Sequence, residues 1–559
     1  MTNKNYKCLC LSVFASALAT VSLTQAPKKF SIADTLRGSI NPARAWWNVQ
    51  RYDLDIEPDF SNKQLKGTST IVYRVTDAAQ LESMQIDLQE PLQITAVLLD
   101  KKISIAFAKS GSVWMLAMPR QAKGSDHEVA ISYQGKVHEA IRAPWDGGFI
   151  FAKDSLGRPW MTVACQGLGA SVWFPCKDHQ SDEPDKGASL TITAPDTLVA
   201  IANGRLQFTR NNNNGTSTTR WAVVNPISTY CLIPYIGMYK KFSEVYQGEK
   251  GRLDLTYWAL DYNEAKAKSY MPDQVHKMLK AFEHWFGPYP FYEDGYQLIE
   301  TSHTGMEHQS AVSYGNWYKF GYRGRDMSGY GWGMKFDFII IHESGHEWFG
   351  NNLTTKDLAD MWVHEGFTNY SETLFVEDVF GVKASNEYNY GTRKGIKNDV
   401  PVIPVYGVNA QGSGDMYPKG GNMLHSIRHS MGNDEKFTQL LRGLNRTFYH
   451  QTVTSKQVEA YVSKQGGFNY QPVFDQYLRT IQVPKLEYYV GGGRVYYRYT
   501  NCVKGFNLPV VLSGSNTRIR LLPGTGWKNS AVTAAQAALL TPENIRFMYY
   551  VEPILVEKP

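Results

Sequence analysis

The chain has 559 residues, 43% hydrophobic, 13% aromatic and 20% charged, a balance that excludes disorder, coiled coil and collagen. A net charge of +6 spread without any dense Lys/Arg run excludes the basic stripe that nucleic acid requires. Beyond the N-terminus no apolar run is long enough to span a bilayer, so no integral span is expected after removal of the leader read below.

The N-terminus reads as an export signal. Lys4 and Lys7 precede an apolar segment from Cys8 to Ala19, and small-residue cleavage sites follow at Ala17-Leu18-Ala19 and Thr24-Gln25-Ala26. Residues 1–26 are therefore expected to be a signal peptide, and the protein to be exported, periplasmic or secreted. The remaining cysteines, Cys165, Cys176, Cys231 and Cys502, are too few for a disulfide framework and lack the CxxC spacing of a metal site.

Residues 40–240 alternate with period two, as in Tyr52, Leu54 and Ile56 or Val129, Ile131 and Tyr133, and predict an N-terminal antiparallel β domain. Residues 241–484 change period. Val275, Met278, Leu279, Phe282 and Phe286 lie on one helical face that stops at Gly287-Pro288. After an extended segment near Tyr296 and a glycine-rich stretch from Gly321 to Gly333, helices are expected over Met334–Phe349 and Ala359–Phe380. Others follow near Asn422–Ser430, Glu435–Leu444 and Ser455–Lys464. Residues 485–559 revert to β, with strands expected at Val495–Tyr499, Leu508–Leu512 and Phe547–Val551, and predict a small C-terminal β-sandwich. The fold class is thus multidomain α+β.

The chemistry concentrates at His342-Glu343-Ser344-Gly345-His346. Histidines at i and i+4 lie one above the other on a helix, so both imidazoles can converge on one ion, while Glu343 points beside it as a general base. Eighteen residues after His346, Glu365 falls inside the next helix. Two neutral imidazoles and one carboxylate leave a fourth position open, which is the donor set of a catalytic zinc site and not of a structural one.

HESGH followed by Glu365, with Trp348-Phe349-Gly350-Asn351 and Gly305-Met306-Glu307, resembles the aminopeptidase N family of zinc metallopeptidases, a gluzincin family. Trp173-Phe174-Pro175-Cys176 and Tyr417-Pro418-Lys419-Gly420 extend the resemblance over most of the chain. It implies an N-terminal β-saddle, a thermolysin-like catalytic domain, often a β-sandwich behind it, and one Zn2+ per chain held by His342, His346 and Glu365. It also implies that Gly305, Met306 and Glu307 form the exopeptidase motif, with Glu307 binding the substrate's free α-amino group and Gln166 assisting. Tyr417 would stabilise the oxyanion opposite the metal. Glu372, two turns along from Glu365, would either hydrogen-bond a ligand imidazole or stand as a surface carboxylate. Three positions depart from the family pattern: Thr304 and His308 replace the terminal Gly and Asn of its Gly-x-Met-Glu-Asn motif, and His364 replaces an asparagine.

The resulting expectation is a zinc aminopeptidase that hydrolyses the N-terminal bond of peptides by zinc-activated water, with Glu343 as base. The alternatives are an endopeptidase, an epoxide hydrolase, or an inactive scaffold relative. Glu307 disfavours the first, because it would sit where the chain must continue. No ligand or base is missing, which disfavours the last. Oligomeric state has no signal in the sequence.

Overall fold

A computed structural model describes residues 29–76 and 82–557; the segment read as a signal peptide lies outside the described residues. Strand Trp47–Asp59 shows why the N-terminal region is a sheet. Its Tyr52, Leu54 and Ile56 are buried on one face while the intervening residues reach water. It pairs antiparallel with Gln64–Val75 inside an eight-stranded sheet. Its other neighbour, Ala188–Pro195, runs parallel to it, so the sheet is mixed where alternation alone predicted an antiparallel one. A four-stranded antiparallel sheet contains the hairpin Gly148–Lys153 and Pro159–Ala164, which delivers Cys165-Gln166 at its end. Trp47, Tyr73, Trp173 and Phe174 anchor the apolar core between these layers.

The middle region begins with a five-stranded sheet. Strand Tyr296–Glu300 is buried along its whole length and is flanked by parallel neighbours, Gly251–Leu260 and Val312–Tyr314; the short strand Gly305–Met306 forms the edge. Helix Glu264–Phe286 buries the predicted face of Val275, Met278, Leu279, Phe282 and Phe286, and Gly287 ends it at φ 91°.

The expected helix over Met334–Phe349 is shorter. A 3-10 turn at Trp332–Met334 precedes an α-helix limited to Phe338–Gly345, because the Asp337 side chain caps the backbone N–H groups of Ile339 and Ile340. At its other end the chain widens into a π-type turn over Glu347–Asn351, with Phe349 and Gly350 out of helical conformation. The next helix runs Trp362–Phe380, and Val382–Thr392, Pro418–Met431, Asp434–Thr447 and Ser455–Gly466 follow.

The C-terminal β region is a four-stranded sheet accompanied by a two-stranded hairpin and two short helices. Residues Phe547–Val551 are not the expected strand. Thr541 caps and Pro542 opens a helix through Met548, and the final strand is Glu552–Leu555. This region shares one apolar core with the helices, and Tyr550 ties the two together through Tyr477 Oη (2.7 Å) and Ser426 Oγ (2.8 Å).

Candidate active site

Helices Phe338–Gly345 and Trp362–Phe380 bring His342, His346 and Glu365 together. The Nε2 atoms of His346 and His342 stand 3.3 and 3.9 Å from Glu365 Oε2. All three side chains are buried, and Glu365 Oε2 has no hydrogen-bond partner. An anionic oxygen left without a donor in a buried site is costly, and a divalent cation between it and the two imidazoles removes that cost. The donor set therefore fits a divalent metal, and its N/N/O chemistry suits zinc. Glu307, Glu343 and His346 also cluster, but Glu307 Oε1 already accepts from Gln166 Nε2 (2.5 Å) and Tyr230 Oη (3.0 Å).

Each imidazole is oriented from behind. His342 Nδ1 lies 2.7 Å from Glu372 Oε1, and Tyr388 Oη donates to the other oxygen of Glu372 (2.6 Å). Glu372 is thus buried against the His342 imidazole and is not a surface carboxylate. His346 Nδ1 meets the Phe349 carbonyl at 3.0 Å, a contact available because the π-type turn swings that carbonyl back. Both Nε2 atoms are thereby left facing Glu365.

Burial pushes the Glu343 carboxyl up to about 7, against the pull of His342 and with the help of Glu307. Burial also opposes ionisation of Glu365, yet His346 holds that carboxyl down at about 2. The Tyr417 phenol is driven well above its usual range by burial and by the nearby Glu365 and Glu307, so it remains a hydrogen-bond donor. Its ring lies over His342 at 6.0 Å between centroids.

The strand Gly305–Met306 runs close beneath Glu343. A Cβ on Gly305 would fall 2.7 Å from Glu343 Oε1, so only glycine leaves the base its position. Met306 packs on Ile150 and Ala164 from the N-terminal region. Gln166, from that same region, donates to Glu365 Oε1 (3.2 Å) as well as to Glu307, and so joins the two carboxylates. All ten predicted site residues thus meet at one place. All ten line a cavity of about 550 Å³ that Phe338, Ile339, Tyr322, Met327 and Lys394 also border.

The departures from the family pattern have separate explanations. Thr304 lines the cavity. His308 turns the other way: its Nδ1 meets Tyr235 Oη and Ser313 Oγ (3.0 Å), and burial holds it neutral. The His364 Nε2 accepts from Thr355 N (2.9 Å), bracing a neighbouring strand. Sequence reasoning missed Tyr230, Asn351 and Tyr388. Asn351 Nδ2 holds the Glu307 carbonyl at 2.9 Å and lay inside a quoted motif; the two tyrosines had no local signal.

Two helices that converge a His/His/Glu donor set behind a β-rich N-terminal region define the class of fold seen in zinc metallopeptidases. Residues 270–477 match the peptidase family M1 domain and residues 48–231 the peptidase M1 N-terminal domain, and the chain belongs to this family. Among its relatives are probable aminopeptidase 2 of Sulfurisphaera tokodaii, 23% identical over 60% of this chain, and leukotriene A-4 hydrolase of Xenopus laevis, 21% identical over 74%. The matches span 39% and 67% of those relatives' own lengths. A crystal structure of an M1 zinc metallopeptidase variant from Deinococcus radiodurans shares the fold, with TM-score 0.65 and 20% identity, over 78% of this chain and 95% of that one.

Proposed function

We propose that the protein is a zinc-dependent aminopeptidase that removes N-terminal residues from peptides. The observation that carries this reading is the position of Glu307. Its carboxylate lies at the edge of the His342/His346/Glu365 cluster, within 4.8 Å of donor atoms of Glu343 and His346. An ammonium paired with it places the first peptide bond of a substrate beside the ligands, whereas a chain continuing past that point meets a buried carboxylate. A zinc ion held by His342, His346 and Glu365 would act as Lewis acid, polarising the scissile carbonyl and lowering the pKa of water.

The chain's own groups supply the remaining steps. Glu343, with its carboxyl raised to about 7, takes a proton from the attacking water at a carboxylate oxygen and returns it to the leaving amine. Tyr417 donates its phenolic proton as a hydrogen bond to the developing oxyanion. Gln166 positions Glu307, and Glu372 with Tyr388 orients His342.

Relatives named aminopeptidases support the activity, and a structure of the Deinococcus radiodurans enzyme variant was determined with a Tyr-Ser-Ala substrate. The test is a panel of aminoacyl-arylamides and their N-blocked counterparts. Hydrolysis confined to free amines is expected; equal cleavage of blocked substrates would favour an endopeptidase. We further propose export on the strength of Lys4, Lys7 and the apolar run to Ala19. A mature N-terminus near Thr20 or Pro27 is expected, and one at Met1 or Thr2 would overturn it.

A further inference from the structure

The strand that leads into Glu307 has few backbone bonds of its own. Gly305–Met306 is two residues long and forms the edge of its sheet, where Gly305 pairs with Tyr314 and Met306 with Ser313. It has one neighbour. The place of Glu307 relative to the metal ligands therefore depends on how segment 305–314 is fixed to the helix that presents His342 and His346.

Two buried carboxylates make that attachment, one at each end of the helix. Asp337 stands at its start. Its Oδ1 accepts from Ile339 N (3.0 Å), Ile340 N (3.2 Å) and Asn316 Nδ2 (2.9 Å), which completes the helix cap. The cap makes no use of Oδ2. That oxygen accepts from two phenols: Tyr314 Oη (2.8 Å), opposite Gly305 in the sheet, and Tyr270 Oη (2.9 Å), from helix Glu264–Phe286. At the other end the buried Glu347 accepts from Ser310 N (2.9 Å) and Tyr289 Oη (3.0 Å), and Asn351 holds the Glu307 carbonyl. Asp337 and Glu347 are separated by about 15 Å of helical rise. Two attachments that far apart fix the angle of the segment to the helix as well as its distance, which one attachment cannot do.

We propose that Tyr314 and Asp337 are positioning residues for the peptidase reaction: their bond, with Glu347 at the far end, sets where Glu307 stands relative to the metal ligands. The proposal rests on the aminopeptidase reading, in which Glu307 takes the substrate's ammonium. A hydrogen bond from a phenol to a buried carboxylate is charge-assisted and strong, so it holds the strand closely. A small shift of the ammonium then moves the scissile bond away from the ligands, and such misplacement is costly in rate. The competing role is structural only, with Asp337 capping the helix and its phenols stabilising the fold. Tyr270 separates the two roles. It donates to the same oxygen as Tyr314, yet its helix has no described residue on the cavity wall.

The test compares Tyr314→Phe with Tyr270→Phe, each of which removes one phenolic donor from Asp337 Oδ2. Both should melt earlier than the wild type and keep its zinc affinity. Tyr314 Oη also accepts from Tyr318 N (2.8 Å), so Tyr314→Phe should melt first, and activity is compared well below both melting temperatures. There Tyr314→Phe should lower kcat/KM for a free-amine aminoacyl-arylamide about three- to tenfold, the range of one net hydrogen bond, and Tyr270→Phe less than about twofold. Equal losses in the two variants, or none in Tyr314→Phe, would overturn the proposal. Hydrogen exchange reads the same attachment without turnover. The amides of 305–307 should exchange faster in Tyr314→Phe and at the wild-type rate in Tyr270→Phe; unchanged exchange in Tyr314→Phe would also overturn it. If the wild type leaves the arylamide intact, the aminopeptidase reading fails, while exchange still decides whether Tyr314 holds the strand.

Discussion

Gly366 and Gly420 press two helix backbones together. A Cβ on Gly420 would stand 2.8 Å from the Gly366 Cα, and one on Gly366 would stand 3.2 Å from the Gly420 Cα. Gly366 follows the ligand Glu365, and Gly420 comes three residues after Tyr417, so this contact sets how close the phenol comes to the metal ligands. Gly420→Ala must push backbone against backbone, with no flexible side chain to yield. A destabilisation of about 1–3 kcal/mol is expected, the usual cost of overpacking. Because Tyr417 moves with its helix, kcat should fall while the KM for an arylamide changes little. Thermal unfolding together with steady-state kinetics checks this; a variant with wild-type kcat and stability would show that the contact is slack.

Metal dependence is the next expectation. A chelator should abolish hydrolysis and added zinc restore it, because the buried Glu365 oxygen and two oriented imidazoles have no other common partner. Glu343→Gln should retain zinc by elemental analysis yet lose most turnover, since an amide cannot accept the proton. Full activity in metal-stripped protein would exclude the mechanism.

Glu307→Ala separates chain-end selection from chemistry. A charge-assisted contact of this kind contributes about 1.5–3 kcal/mol, or one to two orders of magnitude in kcat/KM for free-amine substrates. N-acetylated substrates, poor from the start, should lose little more, and zinc content should stay constant. An equal loss in both classes would instead make Glu307 a support for the fold or the metal.

The Glu372 and Tyr388 pair tests how the metal site is oriented. Glu372→Ala removes the carboxylate behind His342 and should weaken zinc binding by about 10–100-fold. Tyr388→Phe leaves that carboxylate in place and removes one donor to it, so a smaller loss is expected. Competition with a metal-sensitive dye measures both. Unchanged affinity in Glu372→Ala would mean that the helix alone orients His342.

What the sequence determined by itself was the chemistry that local geometry encodes. The i, i+4 spacing of His342 and His346 puts two imidazoles on one helical face whatever the rest of the chain does, and Glu343 follows from that same turn. Strand alternation and the helical face of Val275 to Phe286 were legible for the same reason, since burial on one side of an element repeats with its own period. Where local signals competed, the reading slipped. Asp337 shortened the helix predicted from Met334, and Thr541-Pro542 made a helix end of Phe547, because a cap stronger than the apolar run sets the boundary. Tertiary structure alone decided the relations that make a site. Gln166 reaches Glu365 across 199 residues and Glu307 across 141, and Tyr230 reaches Glu307 across 77. Such contacts depend on how separate sheets and helices pack. No residue spacing specifies them.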